Sequence, residues 1–117
     1  MHLDEILQFC LQLKGTTEHF PFDQKTLVFK VMGKMYALID VEKPDSMNLK
    51  CDPERAIELR ERYACVLPGW HMSKKHWNTV LLNNELNTNE LQELIVHSYE
   101  LVVSSLPKKL QHELSVG

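Results

Sequence analysis

The run Pro68-Gly-Trp-His-Met-Ser-Lys-Lys-His-Trp-Asn-Thr-Val80 holds both tryptophans of the chain, two histidines and two adjacent lysines. These residue types suit a ligand that carries negative charge and flat rings. Lys74 and Lys75 can neutralise phosphates, Trp70 and Trp77 can offer stacking faces, and His71, His76 and Asn78 can hydrogen-bond to base edges. A structural role competes with each of these. Tryptophan is the largest core filler, and a lysine pair beside it can be the solvated edge of a buried strand. Trp77 opens an expected strand and suits the core better than a stacking platform.

Metal or nucleophile chemistry has less support. His71 and His76 are five apart, which puts them on one face of neither a helix nor a strand, and no nearby Asp or Glu completes a ligand set. Lys74 and Lys75 would repel a cation. Cys51 precedes the helix start Asp52-Pro53, where a thiolate gains from free amides, yet it also falls on the inward set of a strand, which favours a buried, inert thiol. The three cysteines, Cys10, Cys51 and Cys65, are odd in number, far apart and without a C-x-x-C pair, so neither a disulfide framework nor a zinc ribbon is expected. The four glycines are isolated, which argues against a phosphate-cradling loop. The chain is expected to bind no metal and no organic cofactor, and not to be an enzyme.

The elements that must position these groups fit one domain over residues 1–117, a usual length for a single core. The 44% hydrophobic and 25% charged composition is globular, which sets aside disordered and fibrous classes. No apolar run approaches the ~20 residues needed to span a bilayer. His2-Leu3-Asp4-Glu5 lacks the basic start of a secretory signal, so a cytoplasmic setting is expected. A net charge of −3 restricts any polyanion binding to a local patch. Charge is indeed segregated: only Lys25, Lys30 and Lys34 are charged between Gln24 and Ile39, and only Glu85, Glu90, Glu93 and Glu100 between His76 and Pro107.

Leu3, Ile6, Leu7, Cys10 and Leu11 follow helical spacing, and Gly15 can cap the end, so a helix is expected over 3–14. Thr16 to Gln24 reads as a structured loop whose Phe20 and Phe22 pin it to the core. Thr26–Met32 and Met35–Val41 read as a hairpin about Gly33-Lys34, with Val28 and Lys30 on its exposed side. Met47, Leu49 and Cys51 alternate with Asn48 and Lys50 as a third strand. Asp52-Pro53 starts a helix over 53–63 with Ala56, Ile57, Leu59 and Tyr63 inward and Arg60 to solvent. Ala64–Leu67 and Asn78–Leu82 add two strands. Asn87 with Glu90 resembles a capping box, and Leu91, Leu94, Ile95, Ser98, Val102 and Leu106 trace one face of a last helix ending near Ser105. The order α-β-β-β-α-β-β-α predicts an α+β fold with helices packed on a mostly antiparallel sheet.

Four stretches in order carry a family resemblance: Phe20-Pro-Phe-Asp23, Val28-Phe-Lys-Val-Met-Gly-Lys-Met-Tyr-Ala37, Asn48-Leu-Lys-Cys-Asp-Pro-Glu54 and the Pro68–Val80 run, followed by Ser98-Tyr99 and Leu106-Pro-Lys-Lys109. The chain resembles the MmcQ/YjbR family across nearly its whole length. Trp70 stands where another aromatic is common in that family, and Ser73 where asparagine is common. Neither change alters the charge of the segment. The resemblance implies a compact bacterial α+β protein whose sheet and hairpins are arranged like the double wing of a phage transcription factor, with DNA binding as its activity. It supplies no catalytic constellation.

The expected DNA-contacting set is therefore Lys30 and Lys34 on the hairpin, Lys50 on the third strand, and Trp70, His71, Lys74, Lys75, His76 and Asn78 on the tryptophan-rich run. DNA is the expected partner of a monomer that contacts mainly phosphates. The alternatives are a protein-interaction module built on the hairpin, the Phe20–Phe22 loop and the acidic last helix, and, less favoured, a small-molecule-binding or enzymatic domain.

Overall fold

The computed structural model describes all 117 residues. Its elements are α1 (Leu3–Gln12), β1 (Thr16–His19), β2 (Thr26–Val31), β3 (Lys34–Asp40), β4 (Ser46–Lys50), α2 (Pro53–Arg62), β5 (Val66–Pro68), β6 (Trp77–Leu81), α3 (Thr88–Ser105) and α4 (Lys108–Val116). All six strands join one antiparallel sheet in the order β1-β2-β3-β4-β6-β5. The α+β architecture and the expected elements are present in their expected order, with β1 and α4 in addition.

Local chemistry explains most boundaries. Met32 and Gly33 take φ of 50° and 85°, the paired positive angles of a two-residue hairpin turn, so the turn lies one residue before the expected Gly33-Lys34. The Asp52 side chain accepts from the Arg55 amide at 3.2 Å, with Pro53 at the first helical position of α2. At α3 the Asn87 and Glu90 side chains exchange hydrogen bonds with each other's backbone amides at 2.8 and 3.0 Å.

Alternation along the strands turns Leu27, Phe29, Val31, Ile39, Met47, Leu49 and Val80 toward the helices. There they form the main core with Ile6, Cys10, Leu91, Leu94, Ile95 and Val102. A register shift at Phe29/Lys30 admits Tyr36 to that core, where its hydroxyl meets Thr16 Oγ1 at 2.8 Å and its ring stands edge-on to Tyr99 at 5.4 Å.

Four expectations are corrected. Residues 16–19 form an edge strand where a loop was expected; β1 has no buried side chain, so its sequence shows none of the apolar alternation that marks a strand. Phe20 and Phe22 are 50% and 65% exposed and do not pin the following loop. Asp23 does, its Oδ1 accepting from the Lys25 and Thr26 amides at 2.8 and 2.6 Å. The face of the sheet away from the helices is only partly solvated: Val28, Leu38 and Trp77 bury one another there, flanked by Met35 and Met72. On α2 Ile57 is exposed, and the inner stripe is Ala56, Leu59, Arg60 and Tyr63.

The added helix α4 follows directly from Pro107, which ends α3 but is compatible with a new helix start. Leu114 anchors it above Gly15, whose φ of 78° turns the chain from α1 into β1. A Cβ at position 15 would press on the Leu114 side chain, which could shift, so it is the positive φ that favours glycine there.

Candidate functional site

Antiparallel order decides where the lysines lie. The β2–β3 turn, the end of β4 and the start of β6 fall at one end of the sheet, because Lys30 pairs with Met35 and Lys50 with Trp77. Lys30 and Lys50 alternate with core residues and so extend on the face away from the helices. Lys34 at the turn and Lys74, Lys75 and His76 in the β5–β6 connection are exposed at the same end. None of these lysines has a carboxylate partner. The single ion pair of the fold, Lys25 to Glu42 at 3.9 Å, lies at the opposite end, near Asp40 and Asp45.

The β5–β6 connection is held as a rigid arm by three sets of contacts. The Trp70 amide donates to Thr79 Oγ1 at 2.8 Å, that hydroxyl donates to Asn48 Oδ1 at 2.6 Å, and Asn48 Nδ2 donates back to the Trp70 carbonyl at 3.1 Å. Both backbone groups of Trp70 are thereby tied to the sheet while its indole stays 47% exposed. The Arg60 side chain reaches from α2 to donate to Asn78 Oδ1 at 2.7 Å, to the Trp77 carbonyl at 3.2 Å and to the Lys74 carbonyl. Finally, Lys74 Nζ donates to the Gly69 carbonyl at 2.9 Å, which sets that ammonium beside the Trp70 backbone. Gly69 lies against Trp77, where a Cβ would meet the Trp77 backbone oxygen at 2.8 Å.

The expected site residues therefore divide. Lys30, Lys34, Lys50, Lys74, Lys75 and His76 gather at or beside one end of the sheet, while Trp70 in the same arm is tied to Asn48 and Thr79 farther along it. His71 is exposed in the same arm, in a left-handed conformation with φ 61° that a non-glycine residue adopts at a cost. Asn78 is the exception. It is 2% exposed, turned to the helix side and engaged by Arg60, so it positions the arm and cannot reach a ligand outside. Trp77 is likewise core, at 7% exposure.

Arg60, Asn48 and Thr79 were missed as positioning residues. Arg60 was legible, since Ala56, Leu59, Arg60 and Tyr63 follow i, i+3, i+4, i+7 spacing, but its charge argued for solvent. No sequence pattern marks the Asn48–Thr79 pairing, which depends on β4 and β6 being neighbours.

The titratable groups outside this arm are set by burial. All three cysteines are buried and free; desolvation pushes the Cys10 thiol up to about 12 and raises Cys51 and Cys65 as well. His97 on α3 accepts from the Asp52 amide at 3.2 Å through Nε2, and desolvation, then the Arg55 charge, holds its pKa below the ordinary histidine value.

Residues 11–101 match the YjbR family model. The chain is 33% identical to the Escherichia coli K12 protein YjbR over 110 residues, 93% of each chain, and 35% identical to the Escherichia coli O157:H7 protein YbdF over 111 residues, 94% and 91% of the two; both relatives are described as uncharacterized. Among solved structures it superposes on Deinococcus radiodurans protein DR2400, a DUF419 domain, with a TM-score of 0.90 and 42% identity over 97% of this chain and 87% of that one. A Pseudomonas syringae protein matches with a TM-score of 0.74 and 28% identity over 86% and 98%. With the family model covering most of the chain and two relatives at or above 33% identity, this protein belongs to the YjbR family.

Proposed function

We propose that this chain binds DNA through the lysine-rich end of its sheet, in contacts directed mainly at phosphates. The observation that carries the reading is the gathering of Lys30, Lys34, Lys50, Lys74 and Lys75 at one end, none paired with a carboxylate, with the tethered and exposed Trp70 in the same arm as Lys74 and Lys75. An ammonium has three donors, so Lys74 can hold the Gly69 carbonyl and still reach a phosphate. The net charge of −3 confines attraction to this patch, and the clustering of Asp40, Glu42 and Asp45 at the other end orients an approaching polyanion.

This reading makes the site a binding surface. The buried thiols with raised pKa supply no ready thiolate. Free, buried cysteines fit the cytoplasmic, reduced setting proposed with this function, and the same proposal takes the protein to act as a monomer.

Four to five phosphate contacts predict a slope of about −3.6 to −4.5 in log K against log salt on duplex DNA, and a Kd of about 10⁻⁴ to 10⁻⁶ M at physiological salt. Fluorescence anisotropy with a labelled duplex at about 50 and 200 mM salt tests this. The Lys34→Glu/Lys75→Glu variant should bind more weakly with a shallower slope. No binding of duplex or single-stranded DNA by the wild type with protein in the Kd range above, or equal binding by both proteins, would refute the reading.

A further inference from the structure

Beside the lysine arm, on the face of the sheet away from the helices, lies a groove of about 600 Å³, within the usual range of small-ligand sites. Leu38 is part of its floor. Phe22 from the β1–β2 loop and Trp70 from the β5–β6 arm border it, and both are large aromatics left exposed at 65% and 47%. Met72 adds a soft apolar wall, and the strained His71 backbone shapes the same rim. At the end away from the lysines the rim is acidic. The Asp45 carboxylate borders the groove there with no hydrogen-bond partner in the fold. Asp40 accepts the Glu42 and Lys43 amides at 2.9 and 3.0 Å through Oδ1 alone, leaving Oδ2 free, and Lys43 offsets one of the two charges.

We propose that this groove seats one unstacked base of a single-stranded DNA segment whose phosphates lie along the lysine arm. The inference rests on the DNA-binding reading above and narrows its ligand from duplex to single strand. Two independent features favour that occupant. The arm that carries Lys74 and Lys75 is continuous with Trp70, so a phosphate on the lysines and a base on the indole belong to neighbouring positions on one strand. The carboxylates repel phosphate and accept from amines, so the groove admits the base edge and excludes the backbone. A flat ring over Trp70 or Phe22 gains stacking energy whatever the base, but the carboxylates distinguish among bases. Cytosine offers its exocyclic amine to Asp45 at the corner of the ring, whereas the one donor on thymine's pairing edge, N3–H, lies between two carbonyl oxygens that a carboxylate repels.

The test compares labelled oligo(dC), oligo(dT) and a duplex by anisotropy at low salt, following tryptophan fluorescence in parallel. Trp77 is buried, so quenching reports on Trp70. Oligo(dC) should bind tighter than oligo(dT), and both should bind tighter than the duplex. Trp70→Ala should abolish the quenching and weaken strand binding on the order of tenfold, the loss of one stacked base. Phe22→Ala should act in the same direction, and Asp45→Asn should narrow the gap between oligo(dC) and oligo(dT). These three side chains are exposed, and thermal denaturation of each variant checks that the fold is intact. Strands that bind through the lysines with no base preference and no response to Trp70→Ala or Phe22→Ala would overturn this inference and leave the phosphate-directed reading in place. A duplex that binds at least as tightly as the strands would do the same. No binding by any of the three ligands would overturn both.

Discussion

Arg60→Ala probes the joint on which the lysine arm depends. The guanidinium makes a charge-assisted bond to Asn78 Oδ1 at 2.7 Å and further bonds to the Trp77 and Lys74 carbonyls. Such bonds to a charged group contribute about 1.5–3 kcal/mol each when desolvated. Arg60 itself is half-buried, so water can replace it at the two backbone carbonyls, and those two losses are small. Asn78 differs: at 2% exposure its Oδ1 would be orphaned in the core, at a cost of about 1–3 kcal/mol. The total expected is about 2–3 kcal/mol, or roughly a 10 °C fall in Tm for a domain of this size. Urea denaturation should show a lower midpoint with an unchanged slope. Amide exchange should accelerate at Met72 and His76, whose hydrogen bonds close the arm on itself. Arg60→Lys should recover little, since an ammonium cannot span the Asn78 and carbonyl positions as the planar fork does. A double-mutant cycle with Asn78→Ala should give a coupling above about 0.5 kcal/mol. A loss below that figure for Arg60→Ala, or unchanged exchange in the arm, would mean that the sheet alone holds these residues in place.

Two further outcomes follow from the core. Ser98 is fully buried between α3 and the sheet, donating to the Tyr36 carbonyl at 2.5 Å and receiving the Lys50 amide at 2.9 Å, so Ser98→Ala should cost about 1–3 kcal/mol in chemical denaturation; a near-neutral result would show that those two backbone groups find other partners. Desolvation holds the folded His97 pKa below its ordinary value of 6.5, so the unfolded chain takes up protons first as pH falls and stability declines from about pH 6.5 downward. Above that value the contribution is fully present, with neutral Nε2 accepting the Asp52 amide. Denaturation at pH 7.5 and pH 5.5 should show this loss in the wild type and a smaller one in His97→Gln. Asp23 and Glu90, whose carboxyls are lowered by backbone amides, lose their contribution only at more acidic pH, so the two windows are separable.

The sequence by itself determined what local rules can reach. Asp52-Pro53 and Asn87 with Glu90 announced two helix starts, and the alternation of Met47, Leu49, Asn48 and Lys50 assigned a strand and its faces. Four separated stretches were enough to identify the family. Where local signals are weak or ambiguous, contacts between distant segments decided the structure. β1 buries no side chain and exists because Thr16–His19 completes hydrogen bonds along β2, which no periodicity records. Burial of Val28 and Trp77 on the second face required β2, β3 and β6 to bring them together with Leu38 from positions far apart in the chain. Asn78 read as a surface hydrogen-bonder and became core once Arg60 crossed to meet it. The convergence of Lys30, Lys34 and Lys50 with the Trp70–His76 arm also belongs to tertiary structure. Residue spacing along a strand assigns a side chain to a face, but only the order and direction of neighbouring strands decide which ends meet.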